Sequence, residues 1–382
     1  MRKTDRREII RSIAGLGMAS TVVGPLISAL DQTPKSSTES RISHFEIIPT
    51  RLEYYEPVRE AMIRSFSLQN RYQSDYKPII VKIFTDDGLM GICNAMISNQ
   101  ESIRAILKSM VGHSPWEYLH DDSLKGILVA IYDLAGQAAG LPVCRLFSQQ
   151  PKKRICQTWW SQCYPPELMA QEAKRGESLG YKVHKVKARP WEDVIEQAAA
   201  ICEVVQSDFR IWVDANAWWG SVGRTIDLCE KLSQFNNYFA IESPIARPGI
   251  LGYQALKNNI PLQISEHMAE DPMPYITGGL LDSFVVGGPI GRTFVQRALM
   301  AEVTKIPLWV EHSIEDGINQ VFQAHQAAAF PGVQYTISIT HILQNDLVNE
   351  PFQMDNGFYT VPTAPGLGIH LDEDAIDKYR TG

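Results

Sequence analysis

Ionisable residues recur in the second half of the sequence wherever a short apolar run ends. These run-end residues are Lys185, Lys187, Asp214, Glu242, Glu266, Glu311 and His312. Asp214, Glu242 and Glu266 end three successive runs, and three carboxylates around one small opening repel one another unless a cation neutralises them. Carboxylate oxygens with open positions for water or substrate are typical of Mg²⁺ sites rather than of zinc sites. The pattern therefore predicts a magnesium site.

Lys185 and Lys187 stand two residues apart in one run, so on a strand both side chains point to the same side. An ammonium beside a cluster of carboxylates and metal can have its pKa lowered enough to act as a base. Any one of these residues taken alone is best explained as an exposed charge at a strand end. A whole set at the same phase of a repeated unit is not expected by chance, and this makes the two lysines candidate catalytic groups.

The elements that position these residues are eight apolar runs after residue 151. The predicted strands are 155–160, 183–187, 210–214, 238–242, 262–266, 283–287, 307–311 and 333–339. The first seven runs end 21 to 28 residues apart, which is the length of one strand plus one helix, and about eight such units close a barrel. An open doubly wound sheet usually has a Gly-rich phosphate turn after its first strand, and Trp159-Trp160-Ser161-Gln162 is not one. We therefore predict an α/β fold, a TIM-type (β/α)7–8 barrel over residues 151–350, with catalytic groups at one mouth.

Residues 44–150 have a different pattern, which predicts an α+β domain. Two apolar runs flank Asp86-Asp87-Gly88, as in a β-hairpin. From Leu124 onward the apolar residues recur at helical spacing, and Gly140-Leu141-Pro142 ends that pattern. Strands followed by helices are typical of an α+β arrangement.

The first 30 residues have the pattern of an export signal. Five basic residues (Arg2, Lys3, Arg6, Arg7 and Arg11) precede the uncharged stretch 12–30, as in a signal peptide. Arg6-Arg7 before two apolar residues resembles the twin-arginine signal; an amphipathic helix that happens to begin with Arg-Arg is the alternative. We expect a signal peptide over 1–30, a Ser/Thr/Pro-rich linker over 31–43, a periplasmic or extracellular protein, and no permanent membrane anchor.

Composition excludes several classes of protein. The chain has 382 residues, a net charge of −7 and 45% hydrophobic residues, which is typical of a globular protein with a large core. An acidic chain without a Lys/Arg-rich run is not expected to bind nucleic acid. The six cysteines form no CxxC pair and no Cys/His spacing suited to structural zinc.

Four motifs in order along the chain resemble those of the enolase superfamily, in particular its mandelate-racemase-like and muconate-cycloisomerase-like members. The motifs are Lys185-Val186-Lys187, Asp214-Ala215-Asn216, Glu242-Ser243-Pro244 and Ser265-Glu266-His267. Residues 130–136 before Gly140 are similar to the helix that closes the family's capping domain, which corresponds to 44–150. Residues 365–369, within a C-terminal segment 351–382, are similar to the segment that returns to that cap.

The resemblance implies an active site between the cap and the barrel mouth. Mg²⁺ held by Asp214, Glu242 and Glu266 binds a substrate carboxylate in this family and stabilises the enediolate that forms when the α-proton leaves. By position, Lys187 is the base on one face of the substrate and Lys185 helps to hold the carboxylate. His312 matches the family's histidine on the opposite face. The implied partner is a small carboxylic acid, and we expect a homo-oligomer.

The chain departs from the family at the sixth strand. Residues 283–288 contain neither the acid of racemase-like members nor the lysine of muconate-cycloisomerase-like members. Dehydration needs one base and one acid, whereas racemisation needs two matched bases, so the sequence favours dehydration of a hydroxylated acid such as an aldonic or aldaric acid. A racemase or epimerase of the same superfamily, or a catalytically degenerate carboxylate-binding protein, is the alternative.

Two further residues are candidate substrate contacts. Asn216 follows the third predicted strand and either touches substrate or serves only in a turn. Trp159 lies near the end of the first predicted strand and either lines the pocket or packs in the core, as most aromatic side chains do.

Overall fold

A closed barrel of eight parallel strands forms the centre of the computed structural model, which describes residues 40–67, 74–247, 249–288, 290–311 and 314–381. The strands are Arg154–Ser161, Val183–Lys187, Arg210–Asp214, Tyr238–Glu242, Gln263–His267, Ser283–Val286, Leu308–Val310 and Val333–Ser338. Each strand pairs with the next along the chain, and the eighth pairs with the first, where Ser338 lies opposite Trp159. The barrel predicted from the spacing of the runs is confirmed.

Helices follow the barrel strands and cover their outer faces. They are Pro166–Ser178, Val194–Val204, Val222–Leu232, Ile250–Asn259, Met273–Thr277, Arg292–Thr304 and Gly317–Ala329. Several begin at a polar residue whose side chain accepts a backbone N–H of the first turn, as Asp193, Ser221 and Asp316 do. Within the described residues, no helix is both long and apolar enough to cross a bilayer.

The lower part of the barrel interior is filled by side chains rather than open. Trp212, Ala240, Val285 and Trp309 form a buried apolar cluster there, with the two indole rings 4.0 Å apart. Side chains two residues further along a strand point to the same face. Asp214 and Glu242 therefore rise directly above Trp212 and Ala240 into the barrel mouth, which is the mouth predicted to hold the site.

The N-terminal domain is built on an antiparallel sheet. Its strands Ile42–Pro49, Ile79–Thr85 and Met90–Asn94 pair in that order, and the short strands Leu52–Glu53 and Asp75–Tyr76 pair with each other. Its helices are Glu56–Ser67, Gln100–Met110, Ile127–Ala139 and Cys144–Phe147, with 3₁₀ turns at Pro115–Tyr118 and Asp122–Leu124. The predicted α+β domain and hairpin are thereby confirmed.

The first strand begins earlier than the sequence suggested. Ile42 is already paired with Thr85, although residues 31–43 have the composition of a linker. Ser43 and His44 are exposed on this edge strand. Their polar side chains therefore belong to a strand face in contact with solvent and not to a linker. The predicted signal peptide and residues 31–39 lie outside the described residues.

Part of the C-terminal segment contacts the N-terminal domain. The segment contains the strands Met354–Asp355 and Phe358–Thr360 and the helix Glu373–Tyr379, after a 3₁₀ turn at Thr340–Ile342. The buried carboxylate of Asp133 accepts the backbone N–H of Ile92 at 3.1 Å and that of Leu367 at 2.9 Å. Gly366 has a φ of +75°, and a Cβ there would collide with Asp133, so this close approach requires glycine.

Candidate active site

A cavity of about 550 Å³ lies where the N-terminal domain meets the barrel mouth. Its walls include Tyr76 and Asn94 from the N-terminal domain and Trp160, Lys187 and Asn216 from the barrel. The two lysines of the second strand, and the acids of the strands next to it, reach this region because their strand ends meet at one mouth. The location agrees with the site that the resemblance implied.

Lys185 lies at the centre of a buried charge cluster beneath the cavity. Its Nζ is fully buried, 2.9 Å from Glu242 Oε2 and 3.2 Å from Asp214 Oδ2, and it also closely contacts Glu311 Oε2. The ammonium lies 4.4 Å from the centre of the Trp212 ring, which adds a cation–π contact. One ammonium thus holds three carboxylates from three different strand ends together.

These contacts determine which groups keep their charge. Burial alone would lower the pKa of Lys185, but Glu242, Glu311 and Asp214 together raise it above its usual range. Burial would likewise raise the pKa of Asp214, yet the neighbouring Lys187, Lys185 and Arg189 lower it. The three carboxylates therefore favour the charged form of Lys185, which is the opposite direction to that expected of a lysine base.

Glu242 carries the surplus negative charge of the cluster. Burial, followed by the repulsion of Asp214, raises its pKa to about 7 against the attraction of Lys185, and Glu311 adds to the repulsion. Among the described residues its two oxygens are paired with the ammonium of Lys185 at 2.9 Å and with the imidazole of His267 at 3.3 Å. A further cation nearby would stabilise the charged form of this carboxylate.

Lys187 faces the cavity from the same side of the strand as Lys185. Its side chain is 12% exposed, closely contacts Asp214 Oδ2, and forms part of the cavity wall. A ligand in the cavity can reach this amine, whereas Lys185 is enclosed. The resemblance implied that Lys185 helps to hold the substrate carboxylate, whereas in this structure Lys185 is fully buried beneath the cavity wall. That role of Lys185 stays a prediction.

Glu266 does not join Asp214 and Glu242 in this structure. Its carboxylate accepts a hydrogen bond from Ser243 Oγ at 2.7 Å and closely contacts the hydroxyl of Tyr253, which lies on the helix Ile250–Asn259. The reason is the two-residue period of the fifth strand: Ser265 is the register partner of Glu242, so Ser265 and His267 share the inward face and Glu266 points to the helix layer. The role of Glu266 as a metal ligand stays a prediction.

His267 takes the inward position instead. Its Nε2 lies 3.3 Å from Glu242 Oε1 and 3.4 Å from Glu311 Oε1, and one ligand atom from each of these three residues fits within 4.8 Å of the others. Burial lowers the pKa of His267, but the hydrogen bond to Glu242 and the charge of Glu311 raise it overall. The group brought together is therefore Glu242, His267 and Glu311, with Asp214 adjacent through Lys185.

The donor atoms of this group fit a divalent cation. The carboxylate oxygens of Glu242, with those of Glu311 and Asp214 nearby, are hard ligands that suit Mg²⁺. An imidazole nitrogen is a less usual ligand for Mg²⁺, and it suits transition metals better. The carboxylates are the part of the set that matches magnesium.

Of the two candidate substrate contacts, one lines the cavity and the other does not. Asn216 is in the wall, closely accepts a hydrogen bond from Arg189, and has a φ of +44°, so it is a turn residue and a wall residue at once. Trp159 stacks on His341 with 3.3 Å between ring centres and packs against Gly176 of the first barrel helix. Its neighbour Trp160, the register partner of Lys185, lines the cavity instead, which corrects the assignment of Trp159. His312 lies outside the described residues.

Several polar wall residues were not predicted from the sequence. Among them are Arg189, which lies beyond its strand, and Glu315, Asn319 and Gln323, which follow the seventh strand; these four are almost fully buried. Polar residues recur every few positions in Gly317–Ala329, but only the structure shows that every residue of this helix is buried.

A parallel barrel with carboxylates and lysines at its strand ends, covered by an α+β cap, defines a barrel enzyme with an acid-rich mouth. Residues 168–375 match the family described as Enolase C-terminal domain-like. This match spans more than half of the chain, which therefore belongs to the enolase superfamily, in its mandelate-racemase-like and muconate-lactonizing-like group.

Similar proteins in this superfamily carry out lyase and isomerase reactions. A D-gluconate dehydratase from Thermoproteus tenax is 21% identical over 79% of this chain and 69% of its own length. An arabinonate dehydratase from Saccharolobus solfataricus is 26% identical over 79% of this chain and 90% of its own. The crystal structure of an N-succinyl Arg/Lys racemase from Bacillus cereus superposes with a TM-score of 0.72 at 22% identity, covering 90% of this chain and 98% of its own. The chain is accordingly an enzyme of lyase or isomerase type.

Proposed function

We propose that this protein is a Mg²⁺-dependent dehydratase of a hydroxylated carboxylic acid, an acid sugar. The observation that carries the proposal is that a basic side chain is present on one strand and absent from another. Lys187 of the second strand faces the cavity, whereas the sixth strand Ser283–Val286 has no ionisable side chain. Asp282, just before that strand, is engaged with Lys257 at 2.5 Å and with the backbone N–H of Ile264 at 2.8 Å. A lysine base on the second strand without a partner base on the sixth strand suits dehydration better than two-base racemisation.

In the proposed reaction Lys187 Nζ, in its neutral form, takes the α-proton of the substrate. The electron pair of the broken C–H bond forms the new carbon–carbon double bond, and the β-hydroxyl leaves with one added proton as water. Lys185 stays charged throughout and holds Asp214, Glu242 and Glu311 in place. Mg²⁺ bound by these carboxylates would supply positive charge to the substrate carboxylate.

The acid that protonates the departing hydroxyl is His312 in this proposal. It follows Glu311, whose carboxylate is fixed by Lys185 and His267, so the strand end before it is held firmly. An imidazole with a pKa near neutral can donate a proton at physiological pH. The names of the two dehydratase relatives support an acid sugar as the substrate.

The test is a panel of acid sugars incubated with the enzyme and Mg²⁺ in D₂O, followed by proton NMR. We expect loss of water from at least one acid. Lys187→Ala should lower both exchange of the α-proton and dehydration by about 10² to 10⁴-fold, while His312→Asn should stop dehydration and leave exchange. Lys182→Ala, an exposed lysine paired with Asp208, is the matched control and should behave like the unchanged enzyme.

Two results would contradict the proposal. One is exchange that survives Lys187→Ala but not His312→Asn, since the assigned faces would then be reversed. The other is inversion at the α-carbon with every hydroxyl retained, which would make the enzyme a racemase or epimerase.

We also propose export by the twin-arginine route, on the basis of Arg6-Arg7 before the uncharged stretch 12–30. Changing Arg6 and Arg7 together to Lys should retain the protein inside the cell, because that route requires the arginine pair. Arg11→Lys is the control. Export of the double variant at the level of the control would refute the proposal.

A further inference from the structure

One wall of the cavity is polar and takes no part in the proposed chemistry. Asn319 and Gln323 lie one turn apart on the helix Gly317–Ala329, and Glu315 precedes the residue that caps this helix. Their exposures are only 1% for Glu315, 3% for Asn319 and 1% for Gln323. Three polar side chains buried at a cavity wall require an explanation, since polar groups inside proteins are normally hydrogen-bonded.

Each of these side chains has one atom without a hydrogen-bond partner among the described residues. The three atoms are Glu315 Oε1, Asn319 Nδ2 and Gln323 Oε1. Gln323 Nε2 donates to Glu315 Oε2, and this contact fixes the amide so that its oxygen is the open atom. Burial and the charges of Asp316 and Glu311 raise the pKa of Glu315 well above its usual range, so this carboxyl can donate as well as accept. The wall thus offers a carboxyl group from Glu315, an acceptor oxygen from Gln323 and an N–H donor group from Asn319.

The wall is held in place by the N-terminal domain. Asp316, the N-cap of the helix, accepts a hydrogen bond from Asn94 Nδ2 at 2.8 Å, and Asn94 also donates to the hydroxyl of Tyr76 at 2.7 Å. The Asp316 carboxylate in turn accepts the backbone N–H of Asn319 at 3.2 Å. Because its position is fixed from both domains, the wall is a preformed binding surface.

We propose that this wall binds hydroxyl groups on the tail of a substrate that carries a single carboxylate. A hydroxyl both donates and accepts, so a chain of hydroxyls can satisfy all three open atoms. A second carboxylate only accepts, so it would leave the oxygen of Gln323 without a hydrogen, and its negative charge would meet no cation among the described residues of this wall. An ammonium only donates, and it would leave Asn319 Nδ2 unpaired.

The cations of the cavity agree with a single carboxylate. Among the described wall residues the cations are Lys187, Arg189 and Lys77. Lys187 and Arg189 lie together at the second strand, whereas Lys77 is mostly exposed and its Nζ is 3.2 Å from Asp75. The inference rests on the proposed function for the placement of the substrate carboxylate at Lys187, and it narrows the substrate to aldonic rather than aldaric acids.

The test is the binding of six-carbon aldonates, aldarates of matching configuration, and hexanoate to the full chain with Mg²⁺, by calorimetric titration. We expect the best aldonate to bind at least about tenfold more tightly than its aldarate and than hexanoate. Asn319→Ala and Gln323→Ala should each weaken aldonate binding about threefold to tenfold and leave hexanoate binding unchanged. Unchanged hexanoate binding also shows that a variant is folded. Gln254→Ala, an exposed glutamine on the helix Ile250–Asn259, is the matched control.

Equal or tighter binding of an aldarate or of 6-aminohexanoate would overturn the inference, as would aldonate binding that neither variant changes. Its failure is separable from that of the dehydratase proposal. Selective binding of aldonates without exchange or loss of water would support the hydroxyl-binding wall and contradict the proposed dehydration. Dehydration of aldonates and aldarates alike would support the dehydratase proposal and contradict the selectivity of the wall.

Discussion

Replacement of Lys185 by Met is the most direct test of how the acid-rich mouth is held together. The substitution keeps the length of the side chain and its packing on Trp212, and removes the one charge that contacts Asp214, Glu242 and Glu311. Among the described residues, the counter-charges that then remain for the three buried carboxylates are Lys187, Arg189 and His267. Breaking a buried ion pair by removing one partner typically costs about 3 to 5 kcal/mol, because an uncompensated charge stays behind.

The assay is urea unfolding in a metal-free buffer at pH 7.5. A loss of about 3 to 5 kcal/mol with an m-value of about 2 to 3 kcal/mol/M lowers the unfolding midpoint by roughly 1 to 2 M. A divalent cation should replace the lost charge, so millimolar Mg²⁺ should restore more stability to Lys185→Met than it adds to the unchanged protein. Lys182→Met removes an exposed lysine from the start of the same strand region and should change little.

A Lys185→Met variant as stable as the unchanged protein would refute this reasoning, because the carboxylates would then need no internal cation. Destabilisation that Mg²⁺ fails to relieve would show that the carboxylates do not form a cation site.

Three further predictions concern the same cluster and the link between cap and C-terminus. Burial and the repulsion of Asp214 raise the pKa of Glu242 to about 7, and a bound metal requires the charged form of this group. Mg²⁺ binding should therefore release up to about one proton near pH 7, and the affinity for Mg²⁺ should rise from pH 6 to pH 8. Calorimetric titrations in buffers of different ionisation heat measure the proton release, and a binding heat that is the same in every buffer would contradict it. Glu311→Gln should weaken Mg²⁺ binding more than Glu266→Gln, because Glu266 is engaged by Ser243 and Tyr253; the opposite order in metal titrations would restore Glu266 as a ligand. Asp133→Ala should cost about 1 to 3 kcal/mol of unfolding free energy, since it leaves two buried N–H groups unpaired; urea unfolding tests this against Asp208→Ala, an exposed control.

The strands that carry most of the chemistry could be predicted from the sequence to the residue. The predicted runs 183–187, 210–214 and 238–242 coincide with observed strands. The second and third are mainly apolar and end in an acid, and the first, Val183-His184-Lys185-Val186-Lys187, is recognised by its spacing from them. The sequence predicts the fifth strand over 262–266, whereas the observed strand is Gln263–His267, one residue further along. With a side-chain period of two, which residue of a pair faces inward cannot be judged from the last residue of a run alone. For this reason the sequence analysis selected Glu266 where His267 faces inward, and Trp159 where Trp160 lines the cavity.

The polar wall could not be predicted because its partners come from distant parts of the chain. Asn94 and Asp316 are 222 residues apart, and nothing in either segment indicates the other. The sequence of Gly317–Ala329 alone is compatible with a helix that exposes its amides to water. Only the packing of the N-terminal domain over the mouth buries Asn319 and Gln323 and turns them toward a ligand.

The hydrogen bond between Asp133 and Leu367 also bears on the order in which the molecule is made. The two residues are 234 positions apart, and a ribosome that adds about 5 to 20 residues per second needs roughly ten to fifty seconds to cover that distance. Throughout this interval the nascent cap lacks the segment that completes it, although its own sheet is already synthesised. A nascent chain arrested shortly before Leu367 would contain all eight barrel strands and still lack the finished cover over the mouth. Ligand binding should therefore arise only after the segment around Leu367 has been synthesised.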